Sequence, residues 1–208
     1  MMKKVDYTLY VCTDQKLMSS ATIEESVEQA ILGGCTVIQL REKDSSSREF
    51  YETAKRVKEI TEKYQVPLII NDRVDIALAV DADGVHVGQS DLPAKVVREI
   101  LGEDKIIGVS AARVEEAVQA EKDGADYLGV GAMFATGTKT NTRSVSIEYL
   151  KKICSSVQIP IVAIGGIHED NAASLKNTGI AGLAVVSAVV AQPDVAQAAA
   201  RLKKIFVE

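Results

Sequence analysis

Short β-branched runs alternate with amphipathic, helix-like segments from one end of this chain to the other, and the alternation repeats eight times. Candidate strands span residues 7–13, 36–40, 68–71, 84–87, 106–110, 127–131, 161–164 and 182–186. They are apolar along most of their length, as expected of strands covered on both faces in a parallel sheet. Between them, residues 23–32 carry Ile23, Val27, Ala30 and Ile31 at three- and four-residue spacing. Residues 48–64 do the same with Phe50, Ala54, Val57 and Ile60, so each segment presents one apolar stripe to a sheet. Glycines at Gly33-Gly34, Gly102, Gly124 and Gly179 come shortly before the next strand, where a left-handed helix cap suits the turn.

Eight βα units in 208 residues fit an α/β fold, a (β/α)8 TIM barrel at the compact end of its range, with residues 1–208 as one domain. A hydrophobic fraction of 47% is enough for one sizeable core. A doubly wound open sheet is the competing architecture, and it expects a glycine-rich first turn. Here that turn reads Val11-Cys12-Thr13-Asp14, so the barrel is preferred.

The net charge is −5, which provides no basic field for nucleic acid. Any anion site must be local. Cys12, Cys35 and Cys154 are odd in number and lack metal-finger spacing, so they read as reduced residues, without a disulfide framework. The N-terminal residues show no long apolar run, which argues against a signal peptide, and the apolar stretch 183–191 is interrupted by Ser187 and too short for a membrane span. A cytoplasmic protein without membrane partners is expected, with homo-oligomerisation left open.

In such barrels active sites form where strands end, and polar clusters fall at those ends. Gln39, Arg41 and Lys43 alternate after an apolar run, so on a strand they share a face. Arg offers a planar fork and Lys a mobile point charge, a combination suited to phosphate or diphosphate; pairing with Glu42 and Asp44 is the plainer alternative. Asp72 and Asp91 follow strands 3 and 4, so their carboxylates are expected to converge on one Mg2+ ion. Taken singly, each suits a turn or a helix N-cap. Asn71 reaches the same ligand or closes a turn. Arg41, Lys43, Lys139 and a divalent metal, set against two carboxylates, match the roughly −3 charge of a diphosphate monoester.

Residues 134–144 form a polar loop after strand 6 with no helix signal before Ser146, the length of a binding loop or lid. Gly137 to Thr140 lacks the first glycine of a P-loop. Gly165-Gly166 follows strand 7 and Ser187 closes strand 8, the usual phosphate pocket of this barrel. Of the two histidines, His86 reads as a hydrogen-bonded wall residue and His168 as a surface helix start. Triad chemistry is disfavoured.

The segments 10–14, 37–43, 68–73, 82–91, 107–110, 134–139, 163–167 and 185–187 together resemble the thiamine phosphate synthase family, in order, over about residues 7–190. The resemblance implies a Mg2+-dependent transferase. It would join 4-amino-5-hydroxymethyl-2-methylpyrimidine diphosphate to 4-methyl-5-(2-phosphoethyl)thiazole and release diphosphate by a dissociative route. In family terms Gln39, Leu40, Arg41, Glu42 and Lys43, with Asn71, Ser110 and Lys139, would hold the pyrimidine diphosphate. Asp72 and Asp91 would hold the metal. Thr136, Gly137, Thr138, Gly166, Val186 and Ser187 would hold the thiazole phosphate. Arg41, Lys43, Ser110 and Lys139 are the expected catalytic group. Ala135 stands where the family usually has proline, and Ala112 where it often has histidine, which bears on loop rigidity and on the shape of the pyrimidine pocket.

Three other readings share the barrel. A thiazole tautomerase-like paralogue needs no diphosphate clamp or paired acids, and a non-catalytic phosphate-ligand barrel would turn nothing over. A sugar-phosphate isomerase or epimerase would need a well-placed general base.

Overall fold

The computed structural model describes residues 5–135 and 144–208. Eight parallel strands close into a barrel in chain order: β1 (Leu9–Cys12), β2 (Val37–Leu40), β3 (Leu68–Asn71), β4 (Gly84–Val87), β5 (Ile106–Ala111), β6 (Tyr127–Val130), β7 (Ile161–Ile164) and β8 (Gly182–Val185). The closing pair matches Tyr10 with Ala184 and Val11 with Val185. Helices α1 (Ile23–Leu32), α2 (Ser47–Lys63), α3 (Val74–Ala79), α4 (Ala94–Leu101), α5 (Val114–Lys122), α6 (Ile147–Ser156), α7 (Glu169–Ala172), α8 (Ser187–Val190) and α9 (Val195–Val207) connect and surround them.

The expected strands are all present and differ only at their ends. The first is shorter, because Tyr7 and Thr13 lie outside the ladder. Helix α2 starts one residue earlier than its periodicity suggests. Ser46 caps it, with its hydroxyl accepting from the Glu49 N–H while the Glu49 carboxylate accepts from the Ser46 N–H. This reciprocal box satisfies two otherwise orphaned amides. At the end of α1, Gly33 stays right-handed and Gly34 makes the left-handed turn, with φ of 96°.

Alternation along each strand divides the interior in two. Ile38, Leu40, Val85, Ile107, Leu128 and Leu183 point outward against the helices, and burying each contributes roughly 2 kcal/mol. Inside the barrel is a separate cluster built on Tyr7, Tyr10, Cys12, Val37, Ile69, Ile106, Tyr127, Val162 and Ala184. Two glycines make room for its large members. A Cβ on Gly108 would lie 2.1 Å from the Tyr127 ring, and one on Gly129 would lie 3.0 Å from the His86 ring. Among the described residues no helix is long and apolar enough to cross a membrane.

Candidate active site

The barrel opens at the carboxyl ends of its strands into a cavity of about 440 Å³, with Gln39, Arg41, Asn71, His86, Ser110 and Tyr127 in its lining. Inward positions of β2, β3, β4 and β5 supply Gln39, Asn71, His86 and Ser110. The register aligns Asn71 with His86, and His86 with Gly108. The far wall comes from the loops after β7 and β8, through Gly165, Gly166, Val186 and Ser187.

Polar groups on the cavity floor are hydrogen-bonded to one another. Gln39 Nε2 donates to the Tyr10 hydroxyl at 2.8 Å, and that hydroxyl lies 2.7 Å from the hydroxyl of Tyr127. The Tyr127 oxygen is 2.9 Å from His86 Nδ1, and His86 Nε2 is 2.9 Å from Ser110 Oγ. Burial holds both phenols well above their ordinary pKa, so they stay protonated. His86 is the hydrogen-bonded wall residue expected. Tyr10 and Tyr127 escaped the sequence reading, since an aromatic residue in an apolar strand gives no sign that its hydroxyl has a partner.

The cations take up different positions. Gln39 and Arg41 both line the cavity, Gln39 from within β2 and Arg41 from just past its end. β2 ends at Leu40, however, so Lys43 lies beyond the strand and lines an adjoining polar recess with Asp14, Arg41, Glu42 and Asp44. Leu40 points outward into the helix layer. Arg41 pairs with neither Glu42 nor Asp44. Its Nη1 lies 2.9 Å from Asp14 Oδ2, while Asp44 pairs with Lys16 and Glu42 accepts from Ser45. Burial raises the Glu42 pKa. Asp14 therefore adds a negative charge that the charge count from sequence omitted.

Asp72 and Asp91 act on each other. Neither caps a helix, because α3 and α4 begin after Arg73 and Pro93 without a side-chain cap. Asp72 takes a left-handed conformation, φ 62°, uncommon for a non-glycine residue. Its N–H donates to the His86 carbonyl at 2.8 Å, and its carboxylate is bonded to Lys43. Asp91 Oδ2 accepts the Gly88 N–H at 2.7 Å. Burial raises the Asp91 pKa, opposed by the Gly88 N–H, and the Asp72 carboxylate raises it further. Two carboxylates pushed together beside an ammonium ion form a hard, anionic donor pair. Among the described residues no cluster of three or more His, Cys, Asp or Glu could hold a metal, so a cation here would keep open positions for other oxygens. That donor set fits magnesium.

Gly166 sits at φ 65°, and a Cβ there would meet the Ala135 carbonyl oxygen at 2.4 Å. The loop leaving β6 thus lies directly on the β7 turn, joined by Met133 N–H to the Ile164 carbonyl and Phe134 N–H to the Gly165 carbonyl, both at 3.0 Å. Thr136, Gly137, Thr138 and Lys139 lie outside the described residues. Ser187 begins α8 rather than ending β8.

The family model for thiamine monophosphate synthase matches residues 9–189. The chain belongs to that family. It is 65% identical over 207 residues to the thiamine-phosphate synthase of Ruminiclostridium cellulolyticum, covering 100% of this chain and 99% of the relative. To the thiamine-phosphate synthase of Clostridium beijerinckii it is 61% identical, with 100% of both covered. Among solved structures, the thiamine phosphate pyrophosphorylase from Pyrococcus furiosus superimposes with a TM-score of 0.90 at 47% identity, over 97% of this chain and 96% of that one. In this thiamine monophosphate synthase family member, the matched region runs from the first barrel strand to the helix after the last.

Proposed function

We propose that this chain is a thiamine phosphate synthase. It transfers the 4-amino-2-methylpyrimidinylmethyl group from its diphosphate to 4-methyl-5-(2-phosphoethyl)thiazole and releases diphosphate. The observation that carries this reading is a cavity lined by Gln39, Arg41, Asn71 and Ser110, with Lys43 in the adjoining recess hydrogen-bonded to Asp72, whose carboxylate in turn acts on Asp91. Full-length relatives bearing that name support it. A tautomerase would have no use for a diphosphate clamp.

In this reading Gln39, Arg41, Lys43, Asn71, Ser110 and Lys139 receive the pyrimidine diphosphate. Thr136 to Thr138, Gly166, Val186 and Ser187 receive the thiazole phosphate, at the loops that follow β6, β7 and β8. Reaction begins as the methylene C–O bond breaks and its electron pair leaves with the diphosphate. Arg41 and Lys43 stabilise the charge that accumulates on the leaving oxygens. The ring amino group feeds the methylene cation until the thiazole nitrogen lone pair closes the new C–N bond, giving a thiazolium product. No proton transfer is required, in keeping with a site poor in histidine. Magnesium, held by Asp72 and Asp91, would neutralise diphosphate charge as a Lewis acid. The setting is cytoplasmic and the substrates are small molecules.

A coupling assay with both substrates, with and without EDTA, tests the proposal. Thiamine phosphate formed only with a divalent cation supports it. Thiazole isomerisation without coupling would establish the tautomerase instead, and binding without turnover a sensor.

A further inference from the structure

The floor of the cavity is one continuous file of hydrogen bonds drawn from five strands: Gln39 of β2, Tyr10 of β1, Tyr127 of β6, His86 of β4 and Ser110 of β5. Hydroxyls and a neutral imidazole can each donate at one side and accept at the other, so such a file has two possible senses. The group at its end decides between them. An amide nitrogen can only donate, so the Tyr10 oxygen accepts from Gln39 Nε2 at 2.8 Å and its own proton turns to Tyr127. Tyr127 then donates to His86 Nδ1. With Nδ1 accepting, the neutral imidazole carries its proton on Nε2, which faces Ser110 Oγ at 2.9 Å. Ser110 accepts from the ring, and its own proton is turned away from His86, while the residue itself lines the cavity.

We propose that Tyr10 and Tyr127 are positioning residues that act through His86 to fix the Ser110 hydroxyl as a hydrogen-bond donor to an anionic oxygen of the bound substrate. The identity of that oxygen, on the departing diphosphate, rests on the function proposed above, whereas the sense of the file does not. Packing keeps the file in place. Tyr127 has the Tyr7 ring 4.9 Å away and the Tyr10 ring 5.7 Å away, and its ring fills the space that a side chain at Gly108 would need. A donor set in advance toward developing negative charge needs no reorganisation when the bond breaks.

With only two histidines in the chain, 15N NMR of the free protein reads the His86 ring directly. The expected spectrum has a protonated Nε2 and an unprotonated Nδ1. Tyr127→Phe removes the donor to Nδ1, so the ring should become a mixture of tautomers and kcat should fall about tenfold with KM nearly constant. Added to Ser110→Ala, the same change should cost nothing further, because the effect passes through that hydroxyl. Should Tyr127→Phe fail to fold, Gln39→Glu serves in its place. Its carboxylate, ionised at alkaline pH, can only accept, so the file reverses and the proton moves to Nδ1. Overturning results are a wild-type ring protonated at Nδ1, an unchanged tautomer in these variants, or a Tyr127→Phe loss that adds in full to that of Ser110→Ala. A wild type with the expected tautomer but no coupling activity would sink the functional reading and the substrate half of this inference, leaving the sense of the file standing.

Discussion

Arg41 Nη1 lies 2.9 Å from Asp14 Oδ2, and the two side chains are only 16% and 14% exposed. The guanidinium that lines the cavity is therefore already partly neutralised before any ligand arrives. Asp14→Asn should release it and remove one negative charge from the mouth. Inorganic diphosphate is then expected to bind about fivefold tighter at low salt, the worth of a partly exposed pair, with the gain fading as salt is added. Calorimetry checks this, and an unchanged affinity would place Arg41 away from the anion.

Asp72 faces both Lys43 and Asp91. Asp72→Asn keeps the shape and removes a charge, so turnover at limiting magnesium should drop about a hundredfold or more while the circular dichroism spectrum stays native. Activity equal to wild type would show that the carboxylate pair does not hold the metal.

Lys43 lies past the end of β2, in the recess beside the cavity. Lys43→Ala should weaken binding of the pyrimidine diphosphate about tenfold, as expected for loss of one charge-assisted contact, with little effect on the thiazole phosphate. Titration of each substrate separately distinguishes the two, and the reverse pattern would exchange the assigned subsites.

Gly108 leaves no space for a methyl group beneath Tyr127, whereas Gly129 is merely tight against His86. Gly108→Ala should cost about 1–3 kcal/mol through overpacking, and Gly129→Ala less. Urea unfolding at matched m-value measures the difference. Equal stability of the two variants would mean that the Tyr127 ring can shift freely.

The Cys35 thiol is buried, lies 3.0 Å from the Val37 carbonyl, and has its pKa pushed up to about 12 by burial. Because the folded value exceeds the unfolded one, this group contributes stability that is complete below the unfolded pKa of 9.0 and disappears as pH rises to about 12. Cys35→Ala should accordingly show a shallower loss of stability than wild type across that alkaline window. Native alkylation at mildly alkaline pH should label the half-buried Cys154 before Cys35.

Much of this was readable from local pattern. Period two put Gln39 and Arg41 on one face, and the order of elements implied closure into a barrel. What pattern could not supply is which inward residues meet. Tyr10 and Tyr127 are 117 residues apart, and only the circumference of the barrel brings their hydroxyls together. Asp14 was missed for a similar reason: Arg41 has acidic neighbours in sequence, and nothing local says that a residue 27 positions away takes precedence. The reading of Asp72 as a helix cap failed because its left-handed backbone ends the strand before the helix begins.

Among the aliphatic side chains that fill the barrel lumen stand two tyrosines joined through their hydroxyls. Its innermost packing and the base of its cavity are consequently the same atoms. An engineer wishing to recruit this scaffold for a different substrate cannot treat stability and recognition as separate problems at that depth. The freedom to diversify lies in the loops above, and the tyrosine pair marks how far down redesign can reach before it becomes refolding.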